Sequence, residues 1–230
     1  MTPPPRATLV MAFDDVLADT ADCRRDALGE SLAADAMTLT PAQLAAACGG
    51  RTFAHAAAVA RAMAGAPDGD HTAIALAAAR ADRAFSARFR RHTLLVPGAA
   101  AFARAAAAIG PVALVAWSPR RDVELTLELA GLDATFTCVI TADDAADDAP
   151  TDQRWRLAAA RLAARGGTAA PLALAGAAEA IDAARRAGLR PVAVGALASD
   201  VAFRADRWLP SLEGARAADL FAAPSGTERA

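Results

Sequence analysis

The sequence predicts an α/β protein with a doubly wound parallel sheet and an inserted α-helical cap domain. Three observations carry that prediction. Short apolar runs with no polar face recur at 8–13, 112–116, 138–140, 171–175 and 191–194, the pattern of parallel strands buried on both faces. Helix-length segments lie between the later runs, at 99–109, 121–130, 153–164 and 178–187, and several stop on glycine (Gly110, Gly131, Gly166, Gly188) as helix C-termini do. The stretch from 21 to 92 breaks this alternation and carries helix signals only, so it reads as an insert after the first strand.

In chain order, the first strand, LVMAF, runs into Asp14 and Asp15 and then the turn Val-Leu-Ala-Asp-Thr ending at Thr20. The insert predicts helices over 22–34, 41–47 (opened by Thr40), 53–64 and 72–91, after which Val96-Pro97-Gly98 turns the chain back. The expected organisation is an α/β core domain from 1–20 and 93–230, with a cap domain at 21–92. There is no internal repeat, and the charge run at 143–148 reads as a solvated loop.

Composition narrows the function classes. A chain of 230 residues can bury a sizeable core. Its net charge of -2 and lack of basic clusters give no electrostatic case for nucleic acid. Alanine inflates the 55% hydrophobic fraction, and no run approaches the roughly 20 apolar residues of a membrane span. Two carboxylates stand where a signal peptide would place its cleavage site, so the expected location is cytoplasmic. Cys23, Cys48 and Cys138 are far apart without CxxC spacing, which excludes a disulfide framework or zinc site and leaves buried thiols. His55, His71 and His92 share no metal-ligand spacing. Lysine and tyrosine are absent from the whole chain.

The segments Asp19-Thr20, Gly50-Arg51, Val96-Pro97-Gly98, Ser118-Pro119-Arg120, Ala187-Gly188-Leu189 and ADRWLPSL at 205–212 form a set. Together with the order of strand, helical insert and remaining sheet, they make the chain similar, nearly end to end, to the haloacid dehalogenase-like superfamily. The β-phosphoglucomutase and phosphoglycolate phosphatase type is the nearest in pattern. That resemblance implies a Rossmann-like core, a helical cap and Mg²⁺-assisted phosphoryl chemistry. The family's first motif is FDxDGxLxDT, in which the first Asp attacks phosphorus, Mg²⁺ keeps it ionised, and the second Asp protonates the leaving oxygen. Laid on Leu17 and Asp19-Thr20 without a gap, the motif puts Ala12 at the nucleophile, Asp14 at the acid and Asp15 at the glycine. A rival register makes Asp14 the nucleophile, but it needs a two-residue deletion and puts Val16 at the acid.

The remaining motifs, carried over in the same way, are also altered. Pro119-Arg120 sets the second motif so that Ala116 stands at its Ser/Thr, with Trp117 and Ser118 following. Ahead of Pro150, Ala149 takes the place of the phosphate-neutralising lysine. Counting back from Ala187-Gly188-Leu189 puts Ala175 and Gly176 on the metal-binding acids, and the first carboxylate downstream is Glu179.

Loss of a covalent nucleophile alone costs on the order of 10⁶ in rate. The expectation is therefore a phosphatase-like hydrolase fold that has discarded its reaction, a pseudoenzyme with a binding, regulatory or structural role, no metal site and no bound Mg²⁺. Two alternatives stand beside it: a divergent hydrolase of a small phosphorylated metabolite working through Asp14, and a small-molecule or anion-binding module using the cap–core cleft. Arg51, Arg24, Trp117 and Ser118 are the cleft candidates, with Trp117 read as an aromatic plug. Asp19 reads as a backbone anchor, and Trp155 and Trp208 as core residues. The expected partners are a second copy, an active paralogue or a small anionic ligand, with neither nucleic acid nor membrane.

Overall fold

The computed structural model describes residues 7–67, 69–91, 94–146, 149–167 and 170–221. Expectations that fall on His92, on 147–148 or on the last nine residues lie outside them. Among the described residues the strands are β1 (Leu9–Ala12), β2 (Val112–Val115), β3 (Cys138–Ile140), β4 (Leu172–Ala175), β5 (Arg190–Val194) and β6 (Arg207–Leu209). They form one sheet in the order β3-β2-β1-β4-β5-β6, with every pairing parallel. All residues of β1, β2 and β4 are buried, which is why these strands read as unbroken apolar runs.

Between β1 and β2 come α1 (Ala21–Ala33), α2 (Pro41–Cys48), α3 (Phe53–Met63), α4 (His71–Phe89) and α5 (Ala99–Ile109). The first four pack on one another, most extensively α1 on α4. Alanines at 27, 77 and 81 let the helix axes approach, while Leu28, Leu32 and Phe85 fill the seam. Each of α2, α3 and α4 has a built N-terminus: the Thr40 side chain accepts from Gln43 N, Thr52 from His55 N and Asp70 from Ala73 N. Such caps stabilise by about 1 kcal/mol each. The 96–98 turn depends on Gly98, whose φ is +80° and where an added Cβ would lie 2.6 Å from the Glu213 backbone.

The second half contains α6 (Arg120–Ala130), α7 (Gln153–Ala163), α8 (Ala178–Arg186), α9 (Ser199–Ala202) and α10 (Ala217–Phe221), with a 3₁₀ turn at Ala142–Asp144. Helix α7 packs on β1, β2 and β3, and α8 on β4 and β5. Predicted elements fall within two residues of the observed ones, whereas α9 and α10 have no counterpart in the sequence, and β6 is expected only as a strand position at Trp208. These are three- to five-residue elements, too short for periodicity to register.

Three expectations are corrected. Trp208 is not in the core: it lies on edge strand β6, 41% exposed, and its indole N–H donates to Gly195 O. The start of the acidic run is not simply solvated, because Asp143 accepts from Arg120 N at 2.6 Å and Asp144 from Thr141 N at 2.7 Å. The Asp19 side chain is exposed and anchors nothing among the described residues; its backbone N–H donates to Leu94 O instead.

Candidate functional site

The sheet order reverses direction at β1, between β2 and β4, and in open parallel sheets the crevice at such a point, beyond the carboxyl ends of the strands, is where ligands bind. Here Ala12 closes β1, Ala116 follows β2 and Ala175 closes β4, all three fully buried. Only methyl groups stand at these strand ends. Chemistry-bearing side chains enter from the loop after β1, from the start of α1 and from the turn after β2.

Asp14 is the centre of the cluster, 6% exposed. Its Oδ2 accepts from Trp117 N at 2.8 Å, and its Oδ1 from Ser118 Oγ at 2.5 Å and Thr20 Oγ1 at 3.3 Å. Arg24 reaches over from α1: its Nη1 donates to Ser118 Oγ at 3.3 Å and lies 3.6 Å from Asp14 Oδ1, while Nη2 donates to Arg51 O at 2.5 Å. The guanidinium also lies 4.5 Å over the Phe53 ring, a cation–π contact worth about 1–2 kcal/mol when desolvated. Three donors and an internal cation thus surround one carboxylate, and the positive charge beside the acid comes from the helical insert.

Asp15 sits at φ +63°, in the left-handed region that the motif's glycine would occupy. Asp15 accepts from Thr20 N and Thr20 Oγ1 at 3.3 and 3.0 Å. Burial first, and then the Asp14 charge, push its carboxyl up to about 6, against the hydrogen bonds from Thr20. Across the crevice Gly176 has no room for a side chain: a Cβ would fall 2.8 Å from Asp15 O and 3.0 Å from Asp15 Cβ. The first loop thus leaves room for nothing larger than glycine at 176.

The other candidates are placed as follows. Arg51 does not project freely: it pairs with Glu179 at 3.2 Å and donates to Ala46 O and Gly49 O. Beneath it Gly50, at φ +68°, comes so close to α8 that a Cβ would meet Ala180 N at 2.6 Å. Glu179 also accepts from Thr151 and Arg186; burial opposes ionisation, but these bonds and the Arg51 charge hold its carboxyl below the ordinary value. Trp117 is 2% exposed, with its ring 5.7 Å from that of Trp155. Ala149 is buried before Pro150 and brings no charge.

The sequence reading missed two anchors. Thr20 ties both carboxylates of the first loop. Arg154, fully buried, donates to the carbonyls of Thr141, Ala142 and Ala145 and so shapes the loop after β3. The need for a counter-charge at a buried Asp14 in a chain without lysine was a usable signal for Arg24; nothing in QRWR distinguishes Arg154 from a surface arginine.

The implied Mg²⁺ can be tested against these donors. Magnesium requires hard oxygen ligands in near-octahedral array, usually with one or two carboxylates free to bind. Among the described residues no group of three or more His, Cys, Asp or Glu converges to hold a metal. Both oxygens of Asp14 already accept protein hydrogen bonds, and Arg24 brings a fixed positive charge to 3.6 Å. The residues present do not fit the ion. No helix among the described residues is long and apolar enough to cross a membrane.

No family model and no curated protein matches the sequence. Solved structures do. A hydrolase from Pseudomonas syringae superimposes with a TM-score of 0.81 at 18% identity over 95% of this chain and 100% of its own. A β-phosphoglucomutase from Clostridium difficile gives 0.77 at 14% identity, over 94% and 96% of the two chains. A protein assigned as a haloacid dehalogenase-like hydrolase, from Bacteroides fragilis, gives 0.74 at 17%, over 91% and 99%. The fold of this chain is that of the haloacid dehalogenase-like hydrolases.

Proposed function

We propose that this chain keeps the phosphatase-like fold without the phosphatase reaction and acts as a binding, regulatory or structural protein of the cytoplasm. The observation that carries the reading is Asp14: the one family-type acid left in the ungapped register is held by Trp117 N, Ser118 and Thr20 and faced by Arg24. A carboxylate so engaged is not available to a leaving group. Around it, the methyl of Ala12 offers phosphorus no nucleophile, and Ala116, Ala149, Ala175 and Gly176 offer neither hydroxyl, amine nor metal ligand. Enzymatic phosphomonoester hydrolysis calls on accelerations of up to about 10²¹-fold, so a site missing these parts together has no measurable residue of that rate. We propose likewise that Mg²⁺ is not a resident cofactor.

The second reading, a divergent hydrolase, has one observation in its favour. Asp15, pushed up to about 6, has the proton affinity of a general acid or base near neutral pH. One assay decides between the readings. Protein purified with and without 10-fold excess chelator is given Mg²⁺ and p-nitrophenyl phosphate, glucose 1-phosphate or phosphoglycolate, and phosphate release is followed. The expected result is release equal to the protein-free blank. Turnover that disappears in Asp14→Ala or Asp15→Asn would establish the hydrolase instead.

A further inference from the structure

The sheet has a free edge at β6, the last strand in its order, and among the described residues no strand pairs with its outer side. Leu209 O accepts from Gly195 N, so Arg207 and Leu209 turn their backbone groups toward β5, and Trp208 between them turns its N–H and C=O outward. An open edge is a template for another strand unless a charge, a proline or a covering element blunts it. Here the outward residue is an aromatic. Trp208 is 41% exposed, its indole held by Gly195 O. Phe203, at the end of α9 and five residues earlier, is 82% exposed, the most of any large apolar side chain among the described residues.

Charge at this corner is balanced within one copy. Arg185 pairs with Asp206 and Arg204 with Asp182, both at 2.9 Å, and Arg207 donates to the carbonyls of Asp219 and Leu220. Asp200 on α9 and Arg190 at the start of β5 have no ion pair among the described residues, and they are of opposite sign. Two copies therefore meet here without a net like-charge penalty. Pairing of β6 with itself about a two-fold axis also has one register free of defects. Centred on Trp208, an antiparallel pair lets the two Trp208 residues exchange both outward backbone hydrogen bonds and sets Arg207 across from the other copy's Leu209. Centred on Arg207 it opposes two like-charged side chains, and centred on Leu209 it sets Trp208 against Pro210, which has no N–H to give. We propose that β6 and Phe203 form the interface of a symmetric homodimer, joined edge to edge with Trp208 facing Trp208. From their exposures, the two aromatics offer on the order of 250 Å² per copy. That falls short of the roughly 1,200–2,000 Å² buried in tight complexes, and β6 has only three residues, so the dimer is weak and concentration-dependent. The inference goes beyond the proposed function, since none of these residues belongs to the Asp14 crevice.

The test is sedimentation velocity on the full chain between about 1 and 200 µM, the range in which a weak interface of this kind assembles. Expected is a shift from the monomer to twice its mass across that range, with falling acrylamide quenching of fluorescence, because Trp117 and Trp155 are buried and Trp208 alone is open to the quencher. Phe203→Glu, at a side chain too exposed for its loss to disturb the fold, weakens association at least tenfold at unchanged melting temperature, and Trp208→Glu does the same by setting two carboxylates face to face. Leu129→Glu, at an apolar side chain 70% exposed on α6, leaves association unchanged. Mixing Trp208→Glu with Trp208→Arg restores it, since opposite charges then meet across the two-fold axis. A monomer at every concentration, full association in Phe203→Glu and Trp208→Glu, an equal loss in Leu129→Glu, or no gain on mixing the two Trp208 variants would each overturn the proposal. Phosphate release in the preceding assay would overturn the pseudoenzyme reading and leave this interface standing.

Discussion

Breaking the Arg24–Asp14 pair on one side should destabilise far more than replacing both partners. At 3.6 Å, with an effective dielectric of about 20, the two charges attract by about 4–5 kcal/mol. Both side chains are buried to within 5% of full burial, so removing one leaves the other desolvated and unpaired, a loss of about 3–5 kcal/mol. Arg24→Met and Asp14→Asn are therefore each expected to lower stability by that amount, or the melting temperature by about 6–20 °C for a chain of this length. The double variant presents a thioether chain to an amide, with no stranded charge. Its loss should fall short of the summed singles by at least about 2 kcal/mol. Urea unfolding followed by far-UV circular dichroism on the four proteins gives this coupling directly, and the cycle cancels what Arg24 gains from Phe53 and Arg51 O. Additivity within about 0.5 kcal/mol, the behaviour of independent sites, would refute the claim that Arg24 is the counter-charge of Asp14.

Asp15 predicts a pH signature. Its folded value of about 6 lies above the ordinary 3.8, so the contribution of its proton to stability is complete below about pH 4 and is lost as pH rises through 6. Asp15→Asn, which keeps the acceptor for Thr20, should match the wild type near pH 4 and exceed it above pH 6 by up to about 3 kcal/mol, less whatever solvent screens; parallel urea midpoints between pH 4 and 7.5 would contradict it. Gly176→Ala should cost about 1–3 kcal/mol by overpacking against Asp15, and Asp15→Gly should relieve part of that loss, as paired unfolding curves would reveal. Arg154→Met strands up to three carbonyls in the loop after β3, predicting a loss of about 2–4 kcal/mol in urea unfolding; a midpoint equal to that of the wild type would contradict it.

What the sequence revealed depended on whether a residue's role was local. Buried parallel strands announce themselves because both faces are apolar, and β1 and β4 stand where LVMA and LALA put them. Helix ends were legible at Thr40, whose capping box with Gln43 is spelled out over four residues. Three-residue β6 carries no such pattern, and Trp208, expected at a strand position facing the core, lies on the strand that forms the sheet edge. Within the crevice, the residues at the three strand ends, Ala12, Ala116 and Ala175, are buried alanines as their apolar surroundings in the sequence require. Spacing could not say what had moved in. Arg24 and Ser118 are 94 residues apart, and Arg51 and Glu179 are 128 apart; such pairings are decided only when the insert closes on the sheet.

That closure bears on the proposal that the chain lacks the phosphatase reaction. A side chain at 176 would collide with Asp15 as the loop lies. With the metal gone, the surviving Asp14 would be a buried charge lacking a cation, a state costing several kcal/mol, and an arginine on the facing helix supplies one. Arg24 then fixes α1 to the turn after β2 through Ser118, while Arg51 fixes the turn after α2 to α8 through Glu179. The insert is thereby tied down at two points over the crevice. A reversal that restores one catalytic group at a time would meet a clash or a stranded charge at each step, so the expectation is that single back-substitutions at 12, 116, 149 or 175 yield no phosphatase turnover. Phosphate release from Ala12→Asp alone, in the presence of Mg²⁺, would show the crevice to be more permissive than Arg24 and Asp15 allow.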